Sequence, residues 1–133
     1  MLTEKDYCDL DLSLALKEAG YIGQGRCYYD LDKEPNKLRH FGIQVLTTRC
    51  AEALNFILAV HLYDAQKWLR EEKKLIVLVG FDFCPITSEI VYNWVIVVNG
   101  NSAKKSSYTY DYFEEALSEG SKEAVKILKE MEV

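Results

Sequence analysis

The period of apolar and polar positions changes several times along this 133-residue chain, and each change marks an element. Leu12, Ala15, Leu16 and Ala19 share one helical face, which predicts a helix over 10–19. Asp9 or Asp11 can cap its start, because a short carboxylate accepts hydrogen bonds from the orphan N–H groups of a first turn. Gly20 stands where a left-handed C-cap residue is wanted, and Tyr21 after it can close a Schellman end. Residues 26–46 read as a hairpin. Arg26–Leu31 is β-prone, Asp32-Lys33-Glu34-Pro35-Asn36 is turn chemistry, and Leu38–Leu46 returns with Gly42 at a bulge position.

Residues 47–73 contain no Gly or Pro, and Cys50, Leu54, Ile57, Leu58, His61 or Leu62, Ala65 and Leu69 keep a nearly unbroken helical phase. One helix there would run about 39 Å at roughly 1.5 Å per residue. That exceeds the depth of a small domain, so two helices meeting near His61–Asp64 are favoured over one. Thr47 or Thr48 can serve as N-cap. Ala53–Val60 would then be helical and apolar nearly all round, which asks for deep burial or an interface.

Leu75–Phe83 is a near-continuous apolar run, a strand whose two faces both want cover. In Ile90–Val98, Ile90, Tyr92, Trp94, Ile96 and Val98 share one face, and Val91, Asn93, Val95 and Val97 share the other. Asn99-Gly100 gives a type I′ hairpin signal. Ala103–Tyr110 follows as a polar third strand, with Lys104 and Lys105 suited to an exposed edge. The pattern over 111–131 predicts a helix with a stripe of Phe113, Ala116, Leu117, Gly120, Ala124, Ile127, Leu128 and Met131. Asp111 and Glu114 have capping-box spacing. Gly120 on the stripe costs about 1 kcal/mol of helix propensity, and close approach to a sheet would explain it. The whole reads as one α+β domain over 1–133. An antiparallel sheet of roughly three to five strands (75–110 with the 26–46 hairpin) packs against an N-terminal helix, a long or bent central helix and a C-terminal amphipathic helix.

Composition changes this little: apolar residues are 49% and charged residues 28%, ordinary for a globular domain. The net charge of −5 is concentrated at the ends. Residues 1–20 carry two lysines against five acids, and residues 111–133 carry three lysines against seven acids. That balance argues against generic binding to a phosphate backbone, which wants a basic face. The start is polar and acidic where a signal peptide would be basic and then apolar. The charge-free apolar stretch Ala53–Tyr63 is about half a membrane span. The expectation is a soluble, cytoplasmic chain without membrane contact. Cys8, Cys27, Cys50 and Cys84 are widely spaced, as free thiols in a reducing compartment would be.

Chemistry is sparse. His40 or His61 with Cys50 or Cys84 would make a Cys–His pair, but no flanking signature supports it. Metal-ligand spacings are missing, and the glycines at 20, 23 and 25 are not followed by Lys-Ser/Thr. Glu71/Glu72 and Glu114/Glu115 are sequence neighbours, which point about 100° apart on a helix and do not converge. No catalytic, cofactor or metal residue is therefore assigned. Tyr108, Tyr110 and Tyr112, with Tyr92 and Trp94, have the composition of a base-stacking platform. Alternating tyrosines on a strand more often mean cross-strand packing. The candidate interaction surface is Lys104, Lys105, Tyr108 and Tyr110. The helix–strand–strand–strand–helix order of 64–131 is also that of double-stranded-RNA-binding domains. Those open their last helix with basic residues, whereas Asp111, Glu114 and Glu115 stand here.

A family resemblance is carried by Leu14-Ala15-Leu16-Lys17-Glu18-Ala19-Gly20-Tyr21, by Tyr63–Glu72 around Lys67-Trp68-Leu69-Arg70-Glu71, by the two apolar strands after it, and by Tyr110-Asp111-Tyr112-Phe113-Glu114-Glu115-Ala116-Leu117-Ser118-Glu119-Gly120. They resemble small uncharacterised proteins of prophages and mobile elements of gut anaerobes, over about half of the chain. Thr47–His61 departs from that pattern, where a short Pro-containing lead into the Trp helix is usual. The resemblance implies a genomic context and transfers no site residue. The functional expectation is a non-enzymatic interaction or accessory protein. Its partner would be a second copy or an unidentified protein. A nucleic-acid-binding accessory protein is the alternative, and an enzyme comes third, with no motif speaking for it.

Overall fold

The computed structural model describes residues 4–42 and 45–131. The chain is α+β, and its contacts gather into two compact units, Met1–Ala65 and Gln66–Val133. The strands form three small antiparallel sheets, where one sheet was expected from the sequence. Among the described residues no helix is long and apolar enough to cross a membrane.

In the first unit a 3-10 turn (Glu4–Asp6) leads into helix α1 (Leu10–Glu18). The Asp9 side chain accepts from the Leu12 N–H at 2.9 Å, so Asp9 is the N-cap. At the other end Gly20 takes a φ of 102°. The Tyr21 N–H reaches the Leu16 carbonyl and the Gly20 N–H reaches the Lys17 carbonyl, both bonds of a Schellman motif. Leu12 and Leu16 are fully buried. Strands β1 (Gln24–Gly25) and β4 (Leu46–Thr47) form one ribbon. Strand β2 (Cys27–Asp30) lies between β3 (Arg39–His40) and β5 (Phe56–Leu58) in a second sheet.

The hairpin expected over 26–46 is present as β2–β3, with Cys27 opposite His40 and Tyr28 opposite Arg39. Its return strand is short. Gly42 takes a φ of 84° in a turn, not in a bulge, residues 43 and 44 lie outside the described residues, and Leu46 pairs with Gly25 instead.

The continuous helical phase of 47–73 is the main correction. Helix α2 (Thr48–Ala53) starts on Thr47, whose hydroxyl accepts from the Cys50 N–H, and is already over at Leu54. Asn55 takes a φ of 61°, a left-handed conformation that an Asn side chain tolerates better than most. That reverses the chain, and Phe56–Leu58 become a strand against β2. Helix α3 (Leu62–Glu72) follows. The break therefore comes well before His61–Asp64, and Ala53–Val60 is not an all-apolar helix. Ile57, Leu58, Ala59 and Val60 are buried as strand and connection. Ile57 and Ala59 form a core cluster with Cys27 and Tyr29.

The second unit is built on strands β6 (Leu75–Phe83), β7 (Ile90–Val98) and β8 (Asn101–Lys105), paired in that order. β6 and β7 have the bounds that the sequence pattern predicts. Asn99 and Gly100 both take positive φ at the two-residue turn, as a type I′ hairpin requires. β8 is shorter and earlier than the expected Ala103–Tyr110 strand, and Tyr110 returns only as an isolated bridge to Tyr92.

Helix α4 (Phe113–Met131) packs on β6 and β7. The Tyr112 carbonyl accepts from the Ala116 N–H, which puts the N-cap position at Tyr112. The capping box expected from Asp111 is thus one residue out of register. Gly120 is buried against the sheet. A Cβ there would lie 2.9 Å from Val77 Cγ1 and 3.0 Å from the Trp94 side chain, so close approach is the reason for glycine on this stripe.

Candidate functional site

The four candidate surface residues do not form one surface. Lys104 is opposite Ile96 on the helix-facing side of the sheet, and its ammonium donates to Glu123 of α4 at 2.7 Å. That pair, with Lys126 second, holds the Glu123 carboxyl below its ordinary pKa. Lys105 is opposite Val95, on the other face. The Tyr110 hydroxyl accepts from the Trp94 indole N–H at 3.3 Å, and its backbone exchanges two bonds with Tyr92. Tyr108 stands exposed. Two of the four are thus engaged in holding this unit together.

A Cys–His pair does exist, in the first unit, and it joins the candidate His40 to Cys27 in place of Cys50 or Cys84. Cys27 Sγ lies 3.4 Å from His40 Nδ1 across the β2–β3 hairpin. Tyr7 adds a hydrogen bond to Cys27; burial, then that bond, push the Tyr7 phenol up to about 12. The turn at Asp32–Asn36 was the available signal, since folding the chain there sets position 27 against position 40. Thiol and imidazole in contact can exchange a proton. Cys27, however, is fully buried, on the sheet face that packs with Tyr29, Ile57 and Ala59. A nucleophile must meet its substrate, so this arrangement reads as a satisfied core thiol. A crevice in the same unit, lined by Ser13, Lys17, Tyr21, Thr48 and Phe56 among others, holds neither residue and has room for little more than a water molecule. Among the described residues no cluster of His, Cys, Asp and Glu could hold a metal ion.

The second unit offers a different kind of site. On the helix-facing side of β6 and β7 the apolar row continues beyond the start of α4. Phe113 meets Tyr92 edge to face, Tyr92 is opposite Phe81, Phe81 meets Phe83 edge to face at 6.2 Å, and Phe83 is opposite Ile90. Phe81 is 65% exposed, and Ile86 at the turn is 91% exposed. The opposite face carries Ile76, Leu78, Val91, Val95 and Val97, with Leu78 51% exposed. The helix-facing row is therefore apolar and wet at the hairpin end, whereas the opposite face is apolar around Leu78 and carries Asp82 and Asn93 nearer the turn.

The turn itself is ordered by its own bonds. The Cys84 N–H donates to the Glu89 carbonyl and the Ser88 N–H to the Cys84 carbonyl, both at 2.8 Å. The Thr87 hydroxyl, then the N–H groups of Thr87 and Ile86, hold the Cys84 thiol below its usual pKa.

The outer edge of β6 completes the site. Tyr92 exchanges both backbone bonds with Tyr110, and Trp94 turns its N–H and carbonyl to Ser106. Residues opposite each other in an antiparallel pair either exchange both bonds or both turn away. Val79 is opposite Trp94 and Phe81 is opposite Tyr92, so their N–H and carbonyl groups point to the outer edge. Val77 and Phe83 point the same way, but each has one group engaged. The Val77 carbonyl accepts from Gln66 Nε2, and the Phe83 N–H donates to Asp82 Oδ1, both at 2.8 Å. Among the described residues no strand pairs with this edge.

Comparison of the chain with protein-family models, with curated proteins and with solved structures finds no match.

Proposed function

We propose that this protein acts by binding, as a small self-associating interaction or accessory protein whose contact surface is the β6–β7 hairpin. The observation that carries this reading is a strand pair with α4 against one face only, with Phe81, Phe83, Ile86 and Ile90 left in water at its turn end and Leu78 exposed on the other face. A contiguous apolar surface of that kind marks an interaction site far more often than it marks an idle surface. Ala53–Val60 supplies no all-round apolar helix in support, because Ile57, Leu58, Ala59 and Val60 are buried within the first unit and only Ala53, Leu54 and Asn55 stand exposed. Nucleic-acid binding is the weaker reading, since Lys104 is committed to Glu123 and the first turn of α4 is acidic with Glu114 and Glu115. Sedimentation velocity of the whole chain over a wide dilution series tests the proposal. A concentration-dependent monomer–dimer shift is expected, and a monomer at every concentration would overturn it.

A further inference from the structure

Resting on that reading, we infer that the partner is a second copy of this chain, joined edge to edge through antiparallel pairing of β6 with β6 about a two-fold axis at Gly80. Such a contact is isologous and closes on itself. It turns two three-stranded sheets into one continuous sheet and removes the longest apolar edge from water.

The hydrogen-bonding groups select this register. With Gly80 on the axis, Val79 of each copy faces Phe81 of the other, and every bond between them uses a group that points outward. The next residues along set the Val77 carbonyl against the Phe83 N–H. Those are the two groups already satisfied within the chain, by Gln66 and by Asp82. A register centred on Val79 or Leu78 would instead demand bonds from the engaged Val77 carbonyl. Gly80 also suits the axis, where a non-hydrogen-bonded pair brings the two backbones to about 4.5 Å between Cα atoms.

Charge agrees with the antiparallel sense. β6 is entered through Lys73 and Lys74 and left through Asp82, with Glu89 across the turn. Antiparallel pairing lays the basic end of one strand beside the acidic end of the other, whereas parallel pairing would set like beside like.

The test compares Phe81→Ala with Phe81→Pro in sedimentation of the whole chain. Both remove the exposed ring, but only proline removes the outward N–H, at a position where an edge strand tolerates it. The proline variant is expected to dimerise about tenfold more weakly than the alanine variant, or worse, for two lost bonds per dimer. Lys74→Glu and Glu89→Lys, both on exposed residues, give a second route that does not touch the strand interior. Each alone should weaken the dimer, and the two together should restore it. Lys105→Glu on the far edge of the sheet should change nothing. A wild-type dimer with equal constants for the alanine and proline variants, and with no rescue by the charge swap, would overturn this inference and leave self-association standing. A wild-type monomer would remove both.

Discussion

Gly120 and Trp94 touch where α4 crosses the sheet. A methyl group on Gly120 would stand 3.0 Å from both Cβ and Cγ of Trp94, and 2.9 Å from Val77 Cγ1. Those atoms belong to buried side chains that cannot swing aside. Gly120→Ala gains about 1 kcal/mol of helix propensity and meets an overpacking cost of roughly 1–3 kcal/mol. The expected net is a loss of about 1 kcal/mol, read as a lower urea midpoint with an unchanged slope. A rise in the midpoint would mean that α4 can lift off the sheet without cost.

The Lys104–Glu123 pair predicts an acid-side dependence. Glu123 is held below its ordinary value of 4.5, chiefly by the hydrogen bond from Lys104. A carboxylate depressed in the folded state contributes stability at pH above 4.5, and that contribution is lost as pH falls through the folded value. Glu123→Gln should cost about 0.5–1 kcal/mol at neutral pH. The difference from wild type should shrink toward zero in acid. Equal midpoints at pH 7 would show that the pair contributes nothing.

Alkaline pH acts through the first unit. Burial, then the charges of Asp64 and Cys8, push the Tyr21 phenol up to about 12 from 10.0. Tyr29 is raised further by burial, and its hydroxyl donates to the Cys8 carbonyl at 2.6 Å. Both folded pKa values lie above the unfolded value, so this stability is fully present below pH 10 and falls away as pH rises through the folded values. Tyrosinate absorbance from these two rings is expected to appear together with loss of secondary structure. Their ionisation in a chain that stays folded would contradict the burial argument. Tyr29→Phe should cost about 1 kcal/mol, because it removes the 2.6 Å bond to the buried Cys8 carbonyl, where the Ser13 contact is longer at 3.4 Å.

The four thiols should separate by reactivity. Cys8 and Cys27 are buried, Cys50 is exposed, and Cys84 is partly exposed with its thiol favoured as thiolate by Thr87. Alkylation at neutral pH followed by peptide mapping should label Cys84 fastest, and Thr87→Val should slow it. Faster labelling at Cys50 in the wild type would contradict the turn geometry.

The parts legible in the sequence are those where one physical signal dominated. The Asp9 cap, the Gly20 Schellman end, the Asn99-Gly100 turn and the Gly120 contact each follow from a residue type that few other positions require. The strand β5 was not legible, because Ile57 and Leu58 satisfy a helical stripe and a short strand equally well. Only Asn55, with its left-handed φ, distinguished them. Lys104 and Tyr110 looked like surface chemistry because their partners, Glu123 and Trp94, are 19 and 16 residues away. The open edge of β6 was hidden for a related reason. An apolar strand reads as wanting cover on its faces, and nothing in its composition says which edge a neighbour will take.

The most direct measurement is amide hydrogen exchange at Val79 and Phe81, followed residue by residue in the whole chain at high and low protein concentration. Both N–H groups point away from β7, so in a monomer they exchange as an open edge does. Protection of these two amides is expected at high concentration and its loss on dilution, with the β6–β7 ladder amides protected throughout. Exchange that is fast at both concentrations while the protein sediments as a dimer would contradict it.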